Sequence, residues 1–547
     1  MSILLKTAVW AGGWPLARQL EAAATNPQAT QMTFLQRLLA RNADTIFGRE
    51  HGFDRIRTAA DYRRVVPVAD YERLRPYVNR LLAGESNILT ASPPLMFART
   101  SGTTGQPKYI PITRESEAGG SRLMRQWLYR ALQDRPRFLD RATLGIVSPG
   151  VEGYVPCGLP YGSVSGRIYQ QIPAVVQRSY AVPYPVFEIK DYDARYFAIA
   201  RFALTRSLSF ISTPNPSTLI RLANVIATQT DRLIRAIHDG NLGVDAGNLS
   251  AALQLFLQPQ PRRARQLARI AQQFGTLRPE DCWPELQLLG CWTGGSAGLQ
   301  AQHLAAHFGP VPLRDLGYLA SEARITLPLE NNTAAGLLAL TENYYEFVPE
   351  AAVDDANPPV LGCHELEVGQ RYSLLLTTAA GLYRYCIHDI VEVTGFYRAT
   401  PLLAFVRKGK DMSNLMGEKL HANHVMLAME QIQKRYGLSV LRYTLQPNDD
   451  ATGYALQLEL TEDAPTLSPD WWSGIFAPAF DLALATVNLE YGQKRNSHRL
   501  SPVTVQAMPS GWSESVIRHA IAQGKRDVQF KWPVLRSRQG IAGAVGS

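Results

Sequence analysis

One nine-residue stretch, Thr100-Ser101-Gly102-Thr103-Thr104-Gly105-Gln106-Pro107-Lys108, carries four hydroxyl side chains, two glycines and a closing lysine. Hydroxyl donors and backbone N–H groups exposed by glycine are what a polyphosphate needs, and Lys108 adds a point charge. This is not the G-x-x-x-x-G-K-[ST] loop, which places lysine directly after its second glycine. A bare Ser/Thr/Gly turn also arises for turn geometry alone. The Pro107-Lys108 ending favours a phosphate loop.

Four further clusters could carry chemistry. Gly294-Gly295-Ser296-Ala297-Gly298 fits G-x-S-x-G between an apolar run and a helical one, the setting of a hydrolase nucleophile elbow. Tyr318-Leu319-Ala320-Ser321-Glu322 places a carboxylate just after a short apolar segment. There it can hold Mg²⁺ bridging phosphates, or simply act as a helix N-terminal charge. Gly381-Leu382-Tyr383-Arg384-Tyr385-Cys386-Ile387-His388-Asp389 ends in an acid after a strand-like run. Such an acid can accept both ribose hydroxyls, as in dinucleotide folds, or serve a turn. His303 and His307 have the i, i+4 spacing of zinc ligands. No H-E-x-x-H acid or third ligand accompanies them, so a metal protease is set aside.

The elements around these clusters are readable from periodicity. Phe34, Leu35, Leu38 and Leu39 predict one helix with a core-facing stripe, and Leu123, Met124, Trp127, Leu128 and Leu132 predict another. Two short strands should flank the 100–108 loop. Glycine- and proline-rich loops fill 148–166, and mostly helical patterns run on to about residue 273. A strand over 286–292 leads into the Gly294 cluster. Residues 336–406 read as β-rich, with runs at 344–348, 372–378, 390–393 and 402–406. After them comes Arg407-Lys408-Gly409-Lys410-Asp411, a polar stretch suited to a hinge, and then alternating helix and strand patterns. This predicts an α/β protein of two domains, 1–406 and 407–547.

The bulk properties fit this picture. In 547 residues, 46% hydrophobic and 19% charged, there is enough apolar material for real cores, which excludes disorder and repetitive fibrous classes. Five cysteines without a C-x-x-C pair are the usage of a reducing compartment. No run of about 18 apolar residues can span a bilayer, and residues 1–20 lack a clear signal-peptide h-region; a cytoplasmic protein without a membrane partner is expected. The net charge of +9 favours anionic partners. From residue 491 to the end, nine Lys/Arg face only Glu514 and Asp527, so most of the excess lies in the last tenth of the chain.

In this order and spacing, the clusters resemble the adenylate-forming superfamily of acyl-CoA synthetases, luciferases and peptide-synthetase adenylation domains. The 100–108 stretch resembles its phosphate loop. Thr293-Gly294-Gly295-Ser296 resembles its adenine-side segment, 318–322 its Y-G-x-T-E motif and 385–389 its ribose motif, while 407–419 resembles its hinge motif. That alignment accounts for the Gly294 cluster without a catalytic serine, and the hydrolase reading falls. Within the superfamily the chain resembles the Gretchen-Hagen-three acyl acid amido synthetases. Thr45-Ile46-Phe47-Gly48-Arg49-Glu50-His51-Gly52-Phe53 and the segment 67–71 resemble its early motifs, 381–389 its G-L-Y-R-Y-x-x-G-D signature, and Gln529-Phe530-Lys531-Trp532-Pro533 its Q-Y-K-x-P. Two residues depart from that signature. His388 stands where the family has glycine, and Cys386 where arginine is usual. Ala323-Arg324 also follow Glu322 where many relatives carry smaller or aromatic groups.

The resemblance implies a large N-terminal domain of β-sheets and a β-barrel flanked by helices, with a smaller mobile C-terminal α/β domain hinged near 407–411. It implies ATP and Mg²⁺ as cofactors: a carboxylic acid is activated as acyl-adenylate with loss of pyrophosphate, and an amine, an amino acid in this family, then displaces AMP. By motif matching, Thr100, Ser101, Thr103, Thr104 and Lys108 would hold the phosphates, and Glu322 the metal. Gly294, Gly295, Ser296, Tyr318, Ala320 and Ser321 would line the adenine side, and Asp389 and Arg407 would bind ribose. Lys419 is the expected α-phosphate contact, with Lys531 as rival. An acyl-CoA ligase or stand-alone adenylating enzyme is the nearest alternative. A basic nucleic-acid-binding protein is the third, disfavoured because no aromatic-interleaved basic motif is present. Trp127, Tyr129 and Tyr161 suggest a bulky or aromatic acid.

Overall fold

The stripe Phe34, Leu35, Leu38 and Leu39 is buried on the helix Pro27–Arg41. Asn26 caps that helix by accepting from Ala29 N, and Pro27 occupies its first turn, where a missing N–H costs nothing. The second stripe lies on the helix Arg114–Asp134, begun by a Thr113/Ser116 capping box. The computed structural model describes residues 2–100, 107–409, 412–416, 418–461, 464–523, 525–526 and 530–537. By internal packing the chain divides into two units, Met1–Gly294 with Ala301–Phe405, and Gly295–Gln300 with Val406–Ser547.

In the larger unit the strands run β1 (Pro94–Thr100), β2 (Lys108–Thr113), β3 (Ala142–Gly145), β4 (Gly153–Tyr154), β5 (Pro160–Gly162), β6 (Leu208–Ser212), β7 (Leu288–Gly290) and β8 (Leu313–Arg314). They continue as β9 (Thr326–Leu327), β10 (Gly336–Leu338), β11 (Asn343–Pro349), β12 (Arg371–Thr378), β13 (Tyr385–Tyr397) and β14 (Thr400–Lys408). Three sheets result, ordered β2-β1-β5-β4, β3-β6-β7-β8 and β11-β12-β13-β14-β10-β9. The second is parallel throughout, with helices connecting its strands. The stretch 166–273 is mostly helical as expected, and β6 is a strand within it that the pattern did not announce. It is an interior strand, and its first four residues, Leu208 to Ile211, are all buried. It therefore lacks the alternation that would mark a half-buried strand.

The smaller unit carries β15 (Met412–Ser413), β16 (Leu420–His421), β17 (Val440–Pro447), β18 (Tyr454–Leu460) and β19 (Thr504–Ala507). Its main sheet is β17-β18-β19. The segment 534–536 adds to the β17 side, where Leu445 N donates to Val534 O (2.8 Å) and Arg536 N to Leu445 O (2.9 Å). Gln300 joins this unit by donating to Leu441 O on β17 at 3.0 Å. Its core gathers Trp472, Phe476, Phe480, Tyr491 and Leu484 with the inner faces of β17 and β18.

Among the described residues no helix is long and apolar enough to cross a membrane. Cys282, Cys291 and Cys363 are buried, and burial pushes the Cys282 and Cys363 thiols up to about 12.

Candidate active site

The four parallel strands end at Gly145, Ser212, Gly290 and Arg314, and ligands of such sheets gather beyond the carboxyl ends of the strands. Asp315, the first residue past β8, stitches two of these exits together. Its Oδ2 accepts from Thr293 N (2.6 Å) and Thr293 Oγ1 (2.7 Å), and its Oδ1 from Gly317 N (2.7 Å). Its backbone carbonyl accepts from Trp127 Nε1 at 2.7 Å. Burial raises the Asp315 carboxyl to about 6 against the opposing pull of the Thr293 and Gly317 hydrogen bonds. Sequence reasoning passed over this residue, although an acid two positions before a glycine is a turn signal. Gly317 is required there: φ is +89°, and a Cβ would stand 2.3 Å from Thr326 O.

Beyond that turn, Tyr318 is pinned at both backbone atoms. Its N–H donates to Thr326 Oγ1 (2.9 Å), and its carbonyl accepts from Ile325 N (2.9 Å). The Tyr318 hydroxyl donates to Asp389 Oδ2 at 2.5 Å, and its ring packs 5.3 Å from Phe405. Burial first, then the Asp389 charge, holds the phenol well above its ordinary pKa, so it stays a donor. Two segments 71 residues apart in sequence, the tyrosine and the ribose-acid candidates, thus meet in one buried pair.

Asp389 reaches that partner because β13 is bulged. Against β12, Ser373 pairs with Ile390 and Leu375 with Cys386, so residues 387–389 face a single residue of the neighbouring strand. His388 adopts φ +58° inside the bulge, a conformation suited to glycine and costing an L-residue roughly 1–2 kcal/mol. Its Nδ1 lies 3.4 Å from Cys386 Sγ. The two departures from the signature are therefore neighbours.

Other signature residues are scaffolding. Tyr383 donates to Leu89 O (2.7 Å) and stacks on Phe47, with Phe53 edge-on. Arg384 is buried in an ion pair with Glu346 (2.8 Å) and donates to Arg63 O and Val66 O. Ala69 N donates to Arg384 O, and Cys386 N donates to Ala69 O. The early motifs at 45–53 and 67–71 are thus the packing partners of the 381–389 signature.

Glu322 is half-buried and accepts from Tyr385 Oη at 3.4 Å. No cluster of three or more metal-ligating side chains occurs among the described residues. A lone carboxylate suits Mg²⁺, which keeps water and substrate phosphates as its other ligands. Ala320 and Ser321 lie in the turn between Tyr318 and Glu322, where Ala320 N donates to Ala323 O. Gly294 approaches Phe405 O and Ala334 closely enough that a Cβ would touch both at 3.4 Å. Thr100 and Lys108 are the last antiparallel pair of β1 and β2, and Lys108 Nζ sits 5.5 Å above the Tyr71 ring. The expected phosphate contacts Ser101, Thr103 and Thr104 lie outside the described residues, as do Lys410 and Asp411 of the expected pivot. His303 and His307 join no metal-ligating cluster among the described residues. Trp127 and Tyr129 are core residues, the latter packed on Gly13, so they give no ground for expecting an aromatic acid.

In the smaller unit, Gly295 opens the short helix Gly295–Ala301, with Ser296 as its second residue. Arg407 is buried at the end of β14 and donates to Lys408 O at 3.2 Å. Lys419 is exposed, in a left-handed turn at φ +43°. The fully buried Glu418 fastens that turn by accepting from Leu415 N and Met416 N (2.7 Å each) and from the Tyr454 hydroxyl. Asn488 grips it from another side, donating to Glu418 O and Lys419 O. His421 stands beside Arg407, His424 and Lys419. Burial first, then the Arg407, His424 and Lys419 side chains, drives its pKa down to about 3, so the ring is neutral. Arg407 and Lys419 thus share one electropositive neighbourhood. Lys531 is exposed between the buried Phe530 and Trp532, whose indole donates to Tyr443 O at 2.7 Å.

Three family models match the chain in order: the GH3 family N-terminal domain over residues 16–313, the GH3 family central domain over 336–408 and the GH3 family C-terminal domain over 423–539. Over 546 residues the chain is 26% identical to a probable indole-3-acetic acid-amido synthetase GH3.2 of Oryza sativa subsp. japonica, covering 92% of this chain and 88% of the relative. It is 23% identical to the jasmonoyl–L-amino acid synthetase JAR4 of Nicotiana attenuata, over 91% of this chain and 89% of that protein. A solved structure, AtGH3.15 acyl acid amido synthetase in complex with 2,4-DB, shares the fold with a TM-score of 0.83 at 19% identity. That match covers 96% of this chain and 95% of the other.

Proposed function

The chain belongs to the GH3 family, and from that membership we propose that it is an ATP-dependent acyl acid amido synthetase, a ligase that joins a small carboxylic acid to an amino acid through an acyl-adenylate. The observation that carries the reading is the succession of all three family domains along residues 16–539. A free carboxylate resists attack by an amine. Transfer to the α-phosphate of ATP releases pyrophosphate and leaves a mixed anhydride, from which the amine displaces AMP. Charge builds at the α-phosphate in the first step, and fixed cations and donors there contribute most.

The residues divide this work as follows. Asp389, held by the Tyr318 hydroxyl, and Arg407 take the ribose. Tyr318, Ala320, Ser321, Gly294, Gly295 and Ser296 form the adenine side. Thr100, Ser101, Thr103, Thr104 and Lys108 hold the phosphates. Glu322 is the protein's Mg²⁺ ligand, the ion supplying neutralisation of phosphate charge when bound. Lys419 contacts the α-phosphate, since a buried glutamate and an asparagine fix its turn and Arg407 is its neighbour; Lys531 is the rival. We place the enzyme in the cytoplasm, acting on small molecules, with 407–411 as the hinge between domains 1–406 and 407–547.

The test is pyrophosphate release dependent on a carboxylic acid, with amino acids and CoA compared as acceptors. Release with a broad acid panel and amide formation are expected. Silence across the panel sinks the reading, and thioester without amide turns it into a CoA ligase. Lys419→Ala should cut release at least 30-fold and Lys531→Ala less than fivefold; full rates in both reject the lysine assignment.

A further inference from the structure

Most enclosed arginines of the larger unit have a carboxylate or several carbonyls, while the fully buried Arg201 has Asn241 O for its Nε and an unpartnered Nη2. Arg314 pairs with Asp134 and donates to Asn331 Oδ1 and Leu329 O. Arg384 has Glu346, and Arg263 has the carbonyls of Leu204 and Cys282. Arg324 goes further than Arg201. Among the described residues its guanidinium has neither an ion pair nor a hydrogen bond, and its backbone carbonyl alone is engaged, by Asn343 Nδ2 at 3.2 Å. An arginine guanidinium is a cation at neutral pH. The residue keeps part of its surface accessible.

Its position ties the side chain to the candidate site. Arg324 lies across from Leu319 in a β-bridge, two residues past Glu322 and beside the Tyr318 segment. Facing it is the helix Arg114–Asp134, which follows directly from β2 and its Lys108. That helix presents Gly120 here, where a Cβ would lie 3.6 Å from Arg324 Cδ and Nε, an ordinary contact; its neighbour Gly119 faces Glu342 Oε2 of the Arg122–Glu342 ion pair.

An enclosed cation without a counter-charge is costly until an anion arrives, and a planar guanidinium matches a carboxylate with two parallel hydrogen bonds. The carboxylate that becomes activated is not that anion. It loses its charge when the acyl-adenylate forms, and a cation bound to it would favour the ground state over the product of the step. We propose that Arg324 clamps a substrate carboxylate that stays ionised throughout the reaction. Two sources share this chemistry: a second carboxylate on the acid, or the α-carboxylate of the amino acid acceptor. The proposal rests on the amido synthetase reading.

Two arms separate the sources. In the first, pyrophosphate release without amine compares matched acids, octanoate with suberate and phenylacetate with 4-carboxyphenylacetate. In the second, amide formation compares alanine with ethylamine. A site built around a charged partner discriminates against the analogue lacking it by tenfold or more. Wild type should show that preference in one arm, and Arg324→Met should collapse it to within threefold. Arg324→Gln, which keeps hydrogen-bond donors without the charge, should fall between. The melting temperature should hold or rise in Arg324→Met, because a purely structural arginine would lower it. Ratios unchanged by both variants in both arms overturn the proposal. Absence of pyrophosphate release with every acid instead overturns the amido synthetase reading, and the clamp with it.

Discussion

Asp315 in the larger unit and His421 in the smaller one meet the same physics with opposite results. Burial disfavours the charged form of each, lifting the acid to about 6 and dropping the imidazole to about 3. Their neighbours then differ. Asp315 is ringed by neutral donors, two from Thr293 and one from Gly317, which oppose its shift. His421 is surrounded by Arg407, His424 and Lys419, which reinforce its own. The large unit uses a carboxylate as a strap between two strand exits. The small unit holds an imidazole neutral so that Arg407 and Lys419 are not joined by a third cation. One buried group is held by neutral donors, and the other sits beside the cations Arg407 and Lys419.

The comparison breaks most visibly at Asp389. Asp389→Ala should lower acid-dependent pyrophosphate release by about 100-fold, and Tyr318→Phe by roughly tenfold, in line with a hydrogen bond to a charged group worth about 1.5–3 kcal/mol. A Tyr318→Phe loss equal to that of Asp389→Ala would make the hydroxyl, not the carboxylate, the binding group.

The pH dependence of stability tests the opposed shifts. The Asp315 pKa is higher folded than unfolded, so the native state binds the extra proton between about pH 4 and 6, and stability falls as pH rises through that window. The effect is on the order of 3 kcal/mol. Denaturant midpoints of wild type and Asp315→Asn should diverge across it, and parallel curves would refute the raised carboxyl. His421 runs the other way. Its folded pKa lies below the unfolded one, so stability is complete above about pH 6.5 and is lost as pH falls from there toward 3. His421→Gln should flatten that acid limb, and an unchanged limb would mean the ring is charged when folded. The smallest effect is at the bulge, where His388→Gly should add up to about 1 kcal/mol by relieving the left-handed backbone; a destabilised variant would mean the Cys386 contact outweighs the strain.

What was legible in the sequence was local. The stripe of Phe34 to Leu39, the pair β1/β2 and the glycine-rich turns announce themselves within a few residues, and the motif order announces the family. β6 was hidden because an interior strand has no alternation. Asp315, Glu418 and Asn488 were hidden for a different reason. Each acts by binding backbone groups of a neighbouring turn, and nothing in a side chain's identity says which turn it will meet. Arg324 was visible as a departure from relatives, but its lack of a partner is a property of three dimensions.

The packing of the early motifs on the 381–389 signature has a consequence for how the chain is made. Tyr62 hydrogen-bonds Thr377, Gln31 bonds Leu340 and Asn343, and Ala69 bridges Tyr385. Residues 31–89 pack partly on one another, as Phe47 does on Phe53 and Tyr77, but these later partners follow about 300 residues behind, roughly 15–60 s at translation rates of about 5–20 residues per second. During that interval Tyr62, whose ring and hydroxyl partners are Tyr344 and Thr377, is open to chaperones. Ribosome-bound chains ending before β12 should be cut by protease within 31–89, and chains that include β13 should resist. The smaller unit's strands β17 and β18 pair within some twenty residues and escape that delay. The order of synthesis thus exposes the N-terminal third longest.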